Sequence, residues 1–196
     1  MKLLKIILLI TIYAIFFNSA FADKDIGQEI QKLAQKGDMH SQYTLGIGYV
    51  TGHGITKNYT KAFEWLSKAA AQGHADAQFN LGLMYDLGTG ITKNDTKAAE
   101  WYTKAATQGH GPAQLNLGGM YSDGRSVVKS DTKAVEWYAK AAVQGHTPAQ
   151  YNLGVMYANG DGVTQSNAKA IQWFKKASAQ GHAETKVVLA ENFGIY

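Results

Sequence analysis

The chain has 196 residues, of which 45% are hydrophobic and 17% are charged, and this composition excludes a wholly disordered chain. Lys2 and Lys5 supply two charges of the formal net charge of +4, and the remainder is too small to indicate a nucleic-acid or membrane-surface protein. The absence of cysteine excludes structural disulfides, thiol catalysis and thiolate metal sites.

The first 22 residues have the layout of a secretory signal peptide. Lys2 and Lys5 precede an apolar run over residues 6–17, and the Ala-x-Ala motif Ala20-Phe21-Ala22 follows. An uncleaved membrane anchor is the alternative, but the run is short for a bilayer span of about 20 residues. The sequence therefore predicts cleavage after Ala22 and an exported protein, periplasmic or secreted, without a stable membrane anchor after cleavage.

A repeat with a period of 36 residues fills the rest of the chain. The motif Gln-Gly-His recurs in phase with Leu-Gly pairs, tyrosines and tryptophans, and no insertion interrupts the series. The motif stands at Gln72-Gly73-His74, Gln108-Gly109-His110, Gln144-Gly145-His146 and Gln180-Gly181-His182. Four full units are therefore predicted.

Each unit contains two helical patterns. In the second unit, Leu81 and Tyr85 lie four residues apart on one face of a first helix, which we name helix A. Glycines then end helix A, and Trp101 marks the apolar face of a second helix, helix B, which Gly109 ends. One such hairpin cannot bury both of its apolar faces, so the pattern predicts an all-α solenoid of stacked hairpins with ten helices.

The pattern divides the chain into capped repeats. A lone B-type helix precedes the first unit, and a lone A-type helix follows the last. The predicted segments are the signal peptide (1–22), an N-terminal capping helix (23–37), four repeats within 38–182 (about 38–73, 74–109, 110–145 and 146–181) and a C-terminal capping helix (183–196).

Large residues in phase with the apolar faces are the predicted repeat core. The glycines inside helix A, such as Gly118, recur although each costs about 1 kcal/mol relative to alanine. Their repetition predicts a close approach by a neighbouring helix, for which Ala-Ala pairs such as Ala141-Ala142 offer a flat surface. The predicted core residues are Leu81, Tyr85, Trp101, Leu117, Tyr121, Trp137, Leu153, Tyr157 and Trp173.

The unit Ala-Gln-x-Asn-Leu-Gly-x-Met-Tyr, followed by Gly-x-Gly and Lys-Ala-x-Glu-Trp-Tyr-x-Lys-Ala-Ala, resembles the Sel1-like repeat, a relative of the tetratricopeptide repeat. The resemblance runs from Gln28 to about Phe193. It implies a right-handed α-α superhelix of antiparallel helix pairs and an exported bacterial protein-interaction scaffold or adaptor. Cysteine-rich relatives have been assigned β-lactamase or penicillin-binding activity, but they carry a cysteine pair in each repeat and this chain has none.

Two residue series permit a chemical or a structural interpretation. The first series consists of histidines at one repeat position. It is either a metal-binding or pH-sensing row or a set of turn residues that precede helix A, and its members are His74, His110, His146 and His182. Equivalent points of stacked helices lie about 8–10 Å apart, too far for one shared metal ion. The sequence predicts no metal and no cofactor.

Ser130 and Ser166 each precede a lysine by three residues, the spacing of penicillin-recognising enzymes. Asn58 and Asn94 occupy the same repeat position, and serine and asparagine are interchangeable as helix N-caps. The capping interpretation is preferred, so no catalytic residue is predicted. Binding of cell-wall glycan remains a further alternative.

One face of helix A is not needed by the core pattern and carries apolar residues. Such a stripe often marks a partner site, although burial of helix A by adjacent hairpins on two sides is the competing interpretation. The sequence predicts a protein or peptide partner on the concave face of the solenoid, and no nucleic acid. The predicted partner-binding residues are Tyr43, Ile47, Phe79, Leu83, Asp86, Leu115, Tyr151 and Val155.

Overall fold

A computed structural model describes residues 24–195, and every regular element in this range is a helix. The predicted signal peptide lies outside the described residues. The helices are α1 (Lys24–Gln35), α2 (Met39–Thr51), α3 (Tyr59–Ala71), α4 (Ala75–Leu87), α5 (Asp95–Thr107), α6 (Gly111–Asp123), α7 (Asp131–Val143), α8 (Thr147–Asn159), α9 (Asn167–Ala179) and α10 (Ala183–Phe193). Each A helix and each B helix of the repeats is 13 residues long.

The helices fall into two compact units, one ending at Lys93 and one beginning at Asn94. In the first unit, α1 packs on α2, α2 on α3, and α3 on α4. In the second unit, α6 packs on both α5 and α7, α8 on both α7 and α9, and α9 on α10. Helices that are consecutive in the chain are therefore also neighbours in space within each unit, as expected for stacked hairpins.

Both ends of the repeat helices have sequence-encoded caps. Side chains of Asn58, Asn94, Ser130 and Ser166 accept a hydrogen bond from a backbone N–H in the first turn of each B helix. At the end of helix A, Gly124 adopts φ 68°, a left-handed conformation that costs glycine little, and its N–H donates to the carbonyl of Met120. The chain can therefore reverse direction in a short loop.

A buried glutamine in helix A joins each repeat to the preceding one. The side-chain amide of Gln114, which is only 3% exposed, donates to the carbonyl of Ala106 at 3.0 Å. Its carbonyl oxygen accepts a hydrogen bond from the Gln144 amide at 2.8 Å, and that amide also donates to the Gly109 carbonyl at 3.1 Å. We name this arrangement the glutamine clamp.

The glutamine clamp recurs in both units. In the first unit, Gln42 donates to Ala34 and accepts from Gln72. In the second, Gln150 donates to Ala142 and accepts from Gln180. The carbonyls at a helix C-terminus have no partner inside the helix, and burying one unpaired costs about 1–3 kcal/mol. The clamp satisfies such carbonyls where the stacking of repeats removes them from water.

The glycines of helix A face the residue that follows the tryptophan of helix B. A Cβ atom on Gly118 would lie 2.7 Å from Cδ1 of Tyr138, and a Cβ atom on Gly154 would lie 2.6 Å from Cε1 of Phe174. Gly46 stands in the same relation to Leu66. The close approach of a neighbouring helix is therefore real, but large side chains rather than the Ala-Ala pairs press against these glycines.

The predicted core residues divide into two groups. Leu81, Leu117 and Leu153 are buried, whereas the tyrosines and tryptophans of the prediction are half-buried. The fully enclosed aromatic position is instead the one after the tryptophan, where Tyr102 and Phe174 are at most 1% exposed.

A lysine ammonium covers one ring face of each tryptophan. Lys68, Lys104, Lys140 and Lys176 each lie 4.0 Å from the centroid of the tryptophan three residues earlier. Glu64, Glu100 and Glu136 precede the first three lysines by four residues, but Gln172 takes this place in the last repeat. Lys176 nevertheless keeps the same distance, so the cation–π contact rather than a Glu–Lys pair accounts for the lysine's position.

Two neighbouring glycines of α6 are expected to respond oppositely to alanine. Gly118→Ala places a Cβ against the buried ring of Tyr138 and should destabilise the protein by about 1–3 kcal/mol. Gly119→Ala meets only the Tyr138 hydroxyl at 3.6 Å, so the helix propensity of alanine should stabilise it by up to about 1 kcal/mol. Urea unfolding measures both variants, and equal effects would contradict the packing described here.

Candidate functional site

The repeat histidines occupy the N-cap position of the A helices, where only the His110 side chain caps the backbone and the rings of His74 and His182 pack on tyrosines. In His110 the ring Nδ1 accepts a hydrogen bond from the Ala113 N–H at 3.2 Å. The ring of His74 stacks on Tyr43 at a centroid distance of 4.3 Å, and the ring of His182 stacks on Tyr151 at 4.7 Å. Each stacked pair joins helix A of one repeat to the start of the next helix A.

The environment of His74 favours its neutral form. Burial is the main cause that lowers the pKa of this imidazole, and the nearby His40 lowers it further, while the Asp76 carboxylate opposes both. Among the described residues, no three metal-ligating side chains converge on one point. The position of these histidines at the start of helix A and the ring stacking of His74 and His182 agree with the interpretation as structural residues.

The Ser-x-x-Lys positions are helix caps. The hydroxyl of Ser130 accepts from the Lys133 backbone N–H at 3.3 Å, and the hydroxyl of Ser166 accepts from the Lys169 backbone N–H at 3.4 Å. The lysine side chains point elsewhere, since the ammonium groups of Lys133 and Lys169 each lie 5.1 Å from the ring centroid of a tyrosine of helix A. The capping interpretation is confirmed.

Two cavities flank one predicted stretch of helix A in the second unit. A cavity of about 350 Å³ lies between α6, α7 and α8, and one of about 460 Å³ lies between α8, α9 and α10. Tyr151 and Val155, four residues apart on α8, line both cavities. We name this pair the Tyr151–Val155 ridge.

Tyr138 supplies a polar group to the smaller cavity. Tyr138 and Asn152 both line the cavity. Burial is the main cause that raises the pKa of Tyr138; the charge of Asp123 raises it further, and the Asn152 hydrogen bond partly offsets both. The phenol therefore stays protonated at neutral pH, as a group that can hydrogen-bond a ligand.

Charged groups of both signs surround the same cavity. Lys129 and Asp131 lie 4.0 Å apart, and Asp161 accepts a hydrogen bond from the Asn159 amide at 3.0 Å. An apolar ridge beside polar groups and charges of both signs suits a peptide, which presents apolar side chains and backbone hydrogen-bonding groups together. It does not suit a polyanion, which needs a basic surface.

The other predicted partner-binding residues do not line these two cavities. Leu115 packs partly buried against the core of the second unit. Tyr43 is stacked on His74 in the first unit. Four others are half-buried on α2 and α4 of the first unit, namely Ile47, Phe79, Leu83 and Asp86.

The sequence interpretation missed Tyr138. The sequence did contain a sign of its role. In the other units the residue after the helix A glycine is aliphatic (Ile47, Leu83 and Val155), but in the third unit it is Gly119. With glycine there, a Cβ at position 119 would lie 3.6 Å from the tyrosine hydroxyl.

Comparisons with known proteins agree on one fold. The family model described as Sel1 repeat matches residues 40–74, 75–110, 111–146 and 147–182. A crystal structure of a Sel1 repeat protein from Oxalobacter formigenes is 33% identical, with a TM-score of 0.85 over 94% of this chain and 78% of that one. These likenesses confirm the predicted α-solenoid fold class. A search of curated proteins returned no match.

Two further structures are more distant. The protein c5321, described as a protective antigen of uropathogenic Escherichia coli with an SLR fold, is 28% identical, with a TM-score of 0.53 over 87% of this chain and 45% of that one. The immunity protein Pa5087 from Pseudomonas aeruginosa is 26% identical, with a TM-score of 0.52 over 87% of this chain and 63% of that one.

Proposed function

The chain belongs to the Sel1 repeat family, and on that premise we propose that it is an exported scaffold that binds a protein or peptide partner on the A-helix face of its repeats. Proteins of this family generally act as non-catalytic interaction scaffolds. The observation that carries the proposal is the Tyr151–Val155 ridge, which lies between two cavities.

The ridge offers a preorganised apolar contact. Tyr151 stacks on His182 and also lies 5.8 Å from the Phe174 ring, so its side chain is held before a partner arrives. Binding to a fixed aromatic group costs less conformational entropy than binding to a mobile one. An apolar side chain of the partner packs against Tyr151 and Val155 and fills an adjoining cavity.

Polar groups beside the ridge orient the bound partner through hydrogen bonds. The Tyr138 hydroxyl and the Asn152 amide face the smaller cavity, where a partner's backbone carbonyl or N–H pairs with them. A peptide backbone carries both kinds of group at every residue, whereas an apolar ligand leaves these two side chains without a new partner. A peptide segment is therefore the ligand class that the site suits best.

Other A-helix residues extend the proposed surface within their own units. In the second unit, Leu115 lies on α6 at the repeat position of Tyr151. The corresponding residues of the first unit are proposed to contact the same or another segment of the partner; they are Tyr43, Ile47, Phe79, Leu83 and Asp86.

A matched pair of valine substitutions tests the ridge. Val155→Glu buries a charge at the proposed contact and should weaken partner binding at least about 30-fold, which corresponds to about 2 kcal/mol. Val143→Glu makes the same chemical change at a side chain that is 72% exposed on α7. Partner recovery is measured on immobilised protein against extract of the exporting cell, after circular dichroism has verified that both variants fold.

Loss of partner binding in Val155→Glu, with binding kept in Val143→Glu, supports the ridge as the binding site. Retention of the partner by Val155→Glu, or equal loss from both variants, contradicts it.

Export is a separate part of the proposal and rests on residues 1–22. Among residues 24–195, no helix combines the length and the apolar character needed to cross a bilayer. The chain recovered from outside the cytoplasm should begin at Asp23, which N-terminal sequencing measures. Ala22→Tyr should block this cleavage, because the site requires a small residue. A chain that stays in the cytoplasm with Met1 intact would contradict export.

A further inference from the structure

One histidine of the repeat series holds a buried ring nitrogen without a hydrogen-bond partner. In the last copy, the Nδ1 atom of His182 lies 2.9 Å from the Thr185 hydroxyl. The Nδ1 atom of His74 is buried and has no hydrogen-bond partner among the described residues. The residue of this copy that corresponds to Thr185 is Ala77, which has no hydroxyl group. The difference in partner therefore follows from one residue of the repeat.

Aromatic packing encloses the His74 ring in the first unit. The ring stacks on Tyr43 with 21° between the two planes and 4.3 Å between the centroids, and the His40 ring meets it edge-on at 5.2 Å. Both of these residues lie on α2, whereas His74 immediately precedes α4. The His74 side chain is only 10% exposed. The ring therefore joins two successive A helices through contacts that water hardly reaches.

Two ionisable side chains act on the charge of this imidazole. Burial lowers the pKa of His74 most, the Asp76 carboxylate on α4 opposes it from 4.0 Å, and His40 on α2 adds to the lowering. Asp38 at the N-cap of α2 interacts with His40, and Lys68 in the last turn of α3 lies over a tryptophan ring. The surroundings therefore favour the neutral ring, with one carboxylate in reach of the charged one.

Protonation gives the buried Nδ1 atom a hydrogen for which the stacked arrangement offers no acceptor. Leaving the N–H of a charged group buried and unpaired is costly. The Tyr43 ring attracts an imidazolium, but it faces the plane of the imidazole, while the N–H lies within that plane. The Asp76 carboxylate can accept this hydrogen, and its side chain is 53% exposed and can move. Closing the gap draws the imidazole toward α4 and out of the stack on α2.

We propose that His74 is a pH-sensitive joint of the first unit, whose neutral ring holds Tyr43 against the start of α4 and whose protonated ring leaves Tyr43 and pairs with Asp76. The joint itself requires no partner. Its effect on binding rests on the proposed function, in which Tyr43 is one of the partner contacts. Because a mobile side chain loses more conformational entropy on binding than a fixed one, this contact weakens as the pH falls.

Proton NMR of the aromatic rings across a pH titration tests the joint. In the native protein, the nuclear Overhauser contact between the rings of His74 and Tyr43 should disappear as His74 takes up its proton. Ala77→Ser supplies the missing hydroxyl, and serine already occupies this repeat position at Ser41. The variant should raise the pKa of His74, because the hydroxyl accepts from the protonated Nδ1, and it should preserve the contact with Tyr43.

Urea unfolding measures the same joint through stability. Because the folded protein binds the His74 proton less tightly than the unfolded chain does, stability should be lost as the pH falls through the ordinary histidine value of 6.5. His74→Phe keeps an aromatic ring for Tyr43 but cannot titrate, so its urea midpoint should fall less than that of the native protein. His53→Gln removes an exposed histidine of the first unit and serves as the control, whose midpoint should fall as in the native protein.

Three results would overturn the joint. They are a native contact between His74 and Tyr43 that persists throughout the titration, a folded Ala77→Ser variant that titrates as the native protein does, and an equal fall of the urea midpoint in the native protein and His74→Phe. If Ala77→Ser does not fold, the other two measurements still decide. None of them uses a partner, so failure of the joint leaves the ridge test with Val155→Glu untouched, and failure of the ridge leaves the joint standing.

Discussion

Hydrogen bonding at the ends of the B helices is the constraint on which the rest of the structure depends. Stacking the repeats removes C-terminal carbonyls such as that of Ala106 from water, and each of them must find a new donor. A buried glutamine provides this donor and is itself satisfied by the glutamine that ends the B helix of its own hairpin. The stacking of hairpins is therefore fixed by specific polar contacts as well as by apolar burial.

This constraint also decides which surfaces are left for binding. The clamp uses the start of helix A and the end of helix B, while the helix A glycine receives the large residue that follows the tryptophan. Lysines cover the tryptophan rings on the B helices. The stretch of helix A at Tyr151 and Val155 takes no part in these contacts, and its apolar side chains lie beside two cavities.

Much of the fold follows from the sequence alone because the repeat period, the glycine stops and the cap residues are local signals. Local periodicity identifies a face but not the neighbour that covers it. It therefore placed the tryptophans in the core, although the residue after each tryptophan is the more enclosed one. The sequence also did not predict the role of Gln114. A repeated polar residue has the same sequence pattern whether it is exposed to water or buried and hydrogen-bonded to another repeat.

The candidate site was predictable only in part for the same reason. Helix A periodicity selects Tyr151 and Val155, but the cavities beside them depend on three helices at once. Tyr138 comes from a B helix and reaches the site through the space that Gly119 leaves. Contacts of this kind arise from tertiary packing, which no single-helix pattern contains.

The clamp is tested most directly by urea unfolding of Gln114→Met, which keeps the side-chain volume and removes the hydrogen bonds. Gln172→Met on α9 is the control, because Gln172 is exposed. If buried glutamines hold the repeats together, Gln114→Met loses at least about 2 kcal/mol of unfolding free energy, and Gln172→Met stays within about 0.5 kcal/mol of the native protein. An equally small change in both variants would contradict the account.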